Sequence, residues 1–205
     1  MTAMLTAFTA ALVALIPITN PVGALAVFSG MTASSPPGHT RRMAWRTGMW
    51  VAVILAAFAL VGSLIMSAFG ISLPALQIAG GLVVAHSGFG MLDNSDTVSD
   101  SERSHAAIKS DISFTPLALP LIAGPGAIGV VIALAARHPG IEARIGIVVA
   151  TLVLGVVIAL LLRYATPWVE RIGATGVGAL VRVMGFLILA IGVELVAHGV
   201  LTLMR

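Results

Sequence analysis

The stretch Pro17-Ile18-Thr19-Asn20-Pro21-Val22-Gly23 lies inside an apolar run long enough to cross a membrane. A second break, Pro120-Leu121-Ile122-Ala123-Gly124-Pro125-Gly126, lies inside another such run in the other half of the chain. Proline removes a backbone donor and clashes with the carbonyl one turn back, so each motif interrupts a helix. An interruption at membrane depth leaves N–H and C=O groups that hydrocarbon cannot satisfy. It persists only where protein packs around it or where water and solute reach it. Paired interruptions at corresponding places in two halves point to the binding site of a transporter.

Composition sets the solvent. Of the 205 residues, 59% are hydrophobic and 9% are charged, against about 25% charged in a soluble domain. That is too few polar side chains to cover a water-facing surface, so an all-α membrane protein is expected. The net charge of +3, from 11 Lys+Arg against 8 Asp+Glu, is carried by loops and bears on membrane orientation rather than on nucleic acid. Cysteine is absent, which excludes disulfides and thiol chemistry. Met1 to Leu15 has no Lys or Arg before its apolar residues; it reads as a retained first span rather than a cleaved leader.

Six stretches are long enough to span, at roughly 4–33, 44–69, 72–92, 113–136, 144–163 and 177–203. Spans one and four contain the two breaks. Between spans two and three, Gly70 ends a helix, Ser72 caps the next, and Pro74 enters its first turn. The segment Asp93–Asp111, with Asp93, Asp96, Asp100, Glu102 and Asp111 among serines, reads as a polar linker. Residues 1–92 thus form a first three-span repeat, 93–112 a cytoplasmic linker, and 113–205 a second repeat. Sliding the chain on itself by 104 residues aligns Pro21 with Pro125, Thr47 with Thr151, Gly81 with Gly185 and Gly88 with Gly192. Three spans per half make the second half enter from the opposite face, so the repeat is expected to be inverted.

Loop charge gives the orientation. One side receives Arg41, Arg42, Arg46, Arg103, Lys109, Arg163 and Arg171; the other receives Arg137, Arg144 and Arg205. The richer side is expected in the cytoplasm, with both termini outside. Trp45, Trp50, Tyr164 and Trp168 fall near predicted cytoplasmic helix ends, as an interfacial aromatic belt does.

The half-helix that begins after each break directs bare N–H groups and the positive end of its dipole at the gap. The half-helix before it offers carbonyls. A zwitterion would complement both. Thr19, Asn20, Pro21 and Gly23, with Gly124, Pro125 and Gly126, are therefore candidate substrate-binding residues. The competing reading of each motif is a proline kink filled by neighbouring hydroxyls.

Four runs carry a more specific resemblance. They are Ile18-Thr19-Asn20-Pro21-Val22-Gly23, Leu76-Gln77-Ile78-Ala79-Gly80-Gly81, Pro116-Leu117-Ala118-Leu119-Pro120-Leu121-Ile122-Ala123-Gly124-Pro125-Gly126 and Arg182-Val183-Met184-Gly185. In these the chain resembles the MarC family of six-span bacterial and archaeal inner-membrane proteins, over essentially its whole length. The resemblance implies a transporter of small neutral amino acids such as glycine and alanine, seated in the inner membrane.

Two further constellations complete the candidates. Gln77 and Arg182 occupy equivalent places in spans three and six, each within ~10 Å of a membrane face, and are added to the substrate-binding set. A guanidinium at that depth needs a partner, a watery cavity or a path to the interface. Glu194, near the bilayer centre in span six, and His86, at similar depth in span three, are the candidate proton-coupling pair. Either could instead be a packed hydrogen-bonding residue. The paired glycines of spans three and six, Gly80-Gly81 with Gly88 and Gly185 with Gly192, read as structural positions of close helix approach.

No catalytic constellation appears, since the histidines are scattered at 39, 86, 105, 138 and 198. No cofactor or metal is expected. The expected partners are a small neutral amino acid, the lipid bilayer and protons. The alternatives are an exporter of other small metabolites or drugs, an intramembrane enzyme, and a channel; a channel would want a polar stripe that spans two and five lack.

Overall fold

The computed structural model describes residues 1–33, 35–93 and 111–204. Among the described residues the elements run α1 (Thr2–Ile18), α2 (Pro21–Thr32), α3 (Pro37–Phe69), α4 (Leu73–Leu92), a wide, irregular coil numbered α5 (Ser113–Ile122), α6 (Pro125–Arg137), α7 (Ile141–Tyr164) and α8 (Thr166–Leu203). No strand occurs among the described residues. Four helices are long and apolar enough to cross a membrane, and six spans result when each bent pair counts as one. The bent pairs are α1–α2, at 49°, and α5–α6, at 64°. The chain is an all-α membrane protein.

Local chemistry explains each interruption. Helix α1 runs through Pro17 and ends at Thr19, whose N–H bonds the Leu15 carbonyl at 2.9 Å. Asn20 then takes a left-handed conformation, φ +46°, which Asn tolerates better than other residues with a Cβ. Its side-chain oxygen accepts the Gly23 N–H at 3.1 Å, and Pro21 takes the first helical place of α2, where no donor is needed. The second break is wider than the sequence suggested, because it begins at Pro116 rather than Pro120. Thr115 and Leu119, each preceding a proline, are extended (φ −125° and −131°), as the ring of the following proline demands.

The α3–α4 turn is as expected. Gly70 is left-handed at φ +65°, and Ser72 accepts the Ala75 N–H at 3.3 Å. Two boundaries differ. Helix α3 begins at Pro37, so Arg41, Arg42 and Arg46 lie in its first turns rather than in a preceding loop. Helix α8 begins at Thr166 and breaks at Gly173, φ +71°, ψ 170°, before its apolar portion, Thr175–Leu203. Of the linker, residues 94–110 lie outside the described residues. At its ends, the Asp93 N–H bonds Phe89 at 3.1 Å, and Asp111 accepts from Arg46.

Between the halves, α3 packs along α7 and α4 along α8, helices at equivalent places in the 104-residue alignment. Gly81 lies against Gly192 and Gly88 against Gly185, so α4 and α8 run antiparallel. A Cβ on Gly88 would come within 2.6 Å of the Leu189 nitrogen, and one on Gly192 within 2.5 Å of the Ala85 nitrogen. Lipid tails are as apolar as leucine, so close backbone approach, not hydrophobic burial, holds such a pair together.

Core packing divides the molecule in two. One large cluster joins α1, α2, α3, α5, α6 and α7 through Leu15, Phe28, Leu55, Leu117, Val131 and Leu154, all fully buried. A small second cluster, Val84, Met91 and Ile188, belongs to α4 and α8. Trp50, one of the aromatic residues expected near a helix end, packs inside the bundle on one side. It is half-buried, its ring 5.0 Å from that of Phe114 at 70°. Tyr164 is exposed, with the Arg163 guanidinium 4.6 Å from its ring centroid; the Trp168 side chain lies outside the described residues.

Candidate functional site

A cavity of about 350 Å³ lies at the seam between the two packing units. Ile18 and Asn20 line it from the first break, and Pro116, Pro120, Gly124, Pro125, Gly126 and Ala127 from the second. The α4–α8 unit closes it with Val84, His86, Ser87, Met91 and Ile188. The two breaks thus face one space, and so does the candidate coupling residue His86.

The two half-helix starts are not equivalent. The N-terminus of α2 is capped by its own Asn20 side chain, whose amide nitrogen lies 3.3 Å from the Met91 sulfur across the seam. The N-terminus of α6 has no side-chain cap. Its first turn, Pro125-Gly126-Ala127, is cavity wall, so the positive end of the α6 dipole is directed at the space. Glycine is needed there for different reasons. A Cβ on Gly124 would strike the backbone oxygen of Pro120, whereas one on Gly126 would meet only Val84 Cγ2, at 2.6 Å.

The remaining candidates are distributed as follows. Thr19 is fully buried beside the break, its hydroxyl donating to the Ile16 carbonyl at 3.1 Å. Pro21 and Gly23 form the first turn of α2 and do not line the cavity; a Cβ on Gly23 would collide with the Asn20 amide. Gln77 and Arg182 are not brought together. Gln77 is buried, and with its amide oxygen turned to the guanidinium it accepts from Arg137 Nη2 at 2.6 Å and Nε at 3.0 Å. That bond crosses the seam between α4 and α6. Arg182 is exposed on α8.

Glu194 and His86 are not neighbours either. Glu194, with its side chain 75% exposed, lies 3.4 Å from His198 one turn along α8. The sequence places Glu194 at the right depth, but it is rotated away from the cavity.

Several wall residues escaped the sequence reading. Pro120 reads as the start of the break but not as a binding residue, and Pro116, four residues before it, carried the same usable proline signal. Val84, Met91 and Ile188 carried none, being apolar residues among many.

At the end of the bundle where α5 begins, Asp111 accepts from the Ser113 hydroxyl at 2.6 Å and from its N–H at 3.0 Å, and pairs with Arg46. Partial burial alone would raise its carboxyl. The Ser113 hydrogen bonds and the Arg46 charge outweigh burial and hold it below the ordinary 3.8. This tie fixes the start of α5, and through it Pro116, against α3.

Comparison with known proteins agrees with this architecture. The family model described as MarC family integral membrane protein matches residues 5–204. The UPF0056 inner membrane protein MarC of Salmonella typhimurium is 34% identical, over 95% of this chain and 94% of its own. The protein of that name from Escherichia coli (strain UTI89 / UPEC) is 33% identical over the same shares. No solved structure matches.

Proposed function

The chain belongs to the MarC family of integral membrane proteins, and from that premise we propose that it is a secondary transporter of small neutral amino acids in the inner membrane. One observation carries the reading: two broken helices and the α4–α8 pair line one cavity. In alternating access, one bundle rocks against another around a site at their seam. Here the α6 start would receive the substrate carboxylate. The carbonyls of the α1 and α5 ends would receive its ammonium. The antiparallel pairing of equivalent helices supports an inverted repeat. Opening on the far side would require the Gln77–Arg137 bond, which crosses the seam, to break.

Uptake of labelled glycine, alanine and larger amino acids into proteoliposomes, with and without a pH gradient, tests the reading. Glycine and alanine should accumulate about tenfold over protein-free vesicles, a difference of about 1.4 kcal/mol, and bulky side chains should not. Uptake of none of them would sink it. A cavity of this size also has room for other small metabolites, which the same size series separates. Of the two coupling candidates, His86 stands on the cavity wall. His86→Gln should retain substrate exchange but lose gradient-driven accumulation, whereas Glu194→Gln should retain both. The reverse pattern would return coupling to Glu194.

Orientation belongs to the same reading, with both termini outside the cytoplasm and the 93–112 segment inside. Reporter fusions after Met204 and within that segment should land on opposite sides of the membrane. Finding both on one side would overturn the topology.

A further inference from the structure

A second cavity, about 380 Å³, lies at the other end of the bundle, among the end of α3, the α3–α4 turn, the last turn of α6 and the start of α7. Its cationic wall residue is Arg144. The Arg144 Nε is buried in that wall without a hydrogen-bond acceptor, so a ligand reaches it only when the side chain turns toward the cavity. The nearest carboxylate in sequence, Glu142, is engaged by the Met1 amino group at 2.8 Å. A buried donor without an acceptor costs about 1–3 kcal/mol, and a guanidinium presents its donors as a fork shaped for an oxyanion.

The other polar groups on the wall are suited to the same ligand. Ser72 accepts the Ala75 N–H, which leaves its own proton free to donate outward. Ser63, half-buried, adds a second hydroxyl. Ser67 spends its proton on the Ser63 carbonyl at 3.0 Å. No carboxylate lines the cavity. Depth narrows the source of the ligand. Arg144 is three residues inside α7, ~5 Å along the axis, and Pro139, Gly140 and Ile141 just before it are exposed. Basic pockets between transmembrane helices near a membrane face bind lipid headgroups.

We propose that Arg144, with the Ser63 and Ser72 hydroxyls, forms an oxyanion site for the phosphate of an anionic phospholipid headgroup or for free phosphate. The site stands apart from the transport cavity and does not depend on the transport reading.

Native mass spectrometry and thermal unfolding of the purified full-length protein test it, with phosphatidylglycerol, phosphatidylcholine and inorganic phosphate as separate probes. Phosphatidylglycerol should be retained and should raise the melting temperature; Arg144→Gln should weaken its retention about tenfold, a difference of about 1.4 kcal/mol. Competition by millimolar inorganic phosphate would support the site with free oxyanion as its ligand. Retention that phosphate does not displace would support it with lipid as the ligand. Two variants guard against a folding defect in Arg144→Gln: Arg144→Lys, which keeps the charge but loses the fork, and Ser63→Val, which fills the wall. Each should weaken retention by a smaller factor, while Arg41→Gln, at the opposite end, should not. Equal retention of phosphatidylglycerol by wild type and all three site variants, with no protection by phosphate, would overturn the proposal.

Discussion

Gly124→Leu should abolish glycine uptake while the protein still inserts and elutes as wild type does. The backbone of Gly124 is extended, φ −72° and ψ 179°, so conformational freedom is not the reason for glycine there. The reason is the Pro120 carbonyl, which occupies the place of a Cβ. A backbone oxygen held between two prolines cannot rotate aside as a side chain does, so the turn before α6 must open and the cavity wall must move. We expect a loss on the order of a hundredfold in uptake, about 2.7 kcal/mol. Gly126→Ala should cost far less, within about tenfold, because the group in its way is Val84 Cγ2 and a rotamer shift costs of order 0.5–1.5 kcal/mol. Uptake at wild-type rate by Gly124→Leu in proteoliposomes would exclude the second break from the transport path.

The second large effect falls on stability. Gly192→Val should lower the thermal stability of the detergent-solubilised protein by about 3 kcal/mol, at the upper end of overpacking costs. The three atoms nearest the added Cβ are backbone: the Ala85 nitrogen at 2.5 Å, the Gly81 oxygen at 2.7 Å and the Ala85 Cα at 2.8 Å. The α4–α8 pair would have to separate to admit it, and among the described residues of α8 the buried cluster takes in Ile188. Gly80→Ala is the control, since its Cβ would meet nothing closer than the Gly129 Cα at 3.8 Å. It should change stability by no more than about 0.5 kcal/mol. Equal melting of Gly192→Val and wild type would show that the glycine contact does not hold the two helices.

These contrasts mark where reading the chain stops. Proline chemistry is local: clustered prolines beside Asn20 or Gly124 disfavour a continuous helix, so both broken spans were legible, although α1 runs through Pro17 itself. The lipid-facing composition, the Gly70–Ser72 turn and the Asn20-Pro21 helix start were legible for the same reason. Helix rotation is not local. Gly80 and Gly81 are adjacent and alike in sequence, but they are about 100° apart around the axis; one faces Gly129 of α6 and the other Gly192 of α8. The same rotation turns Glu194 outward to His198 and His86 into the cavity, although sequence put both at one depth. Gln77 reads from its alignment as the counterpart of Arg182, yet its partner is Arg137 on α6, because packing against a neighbouring helix decides which side chain lies within reach. Sequence by itself determined that this is a helical membrane protein broken at two related places, since backbone donors and apolar length act residue by residue. Tertiary structure alone decided that the breaks share one cavity with α4 and α8, and that the start of α6, not that of α2, is left uncapped, since both depend on how helices rotate and pack against one another.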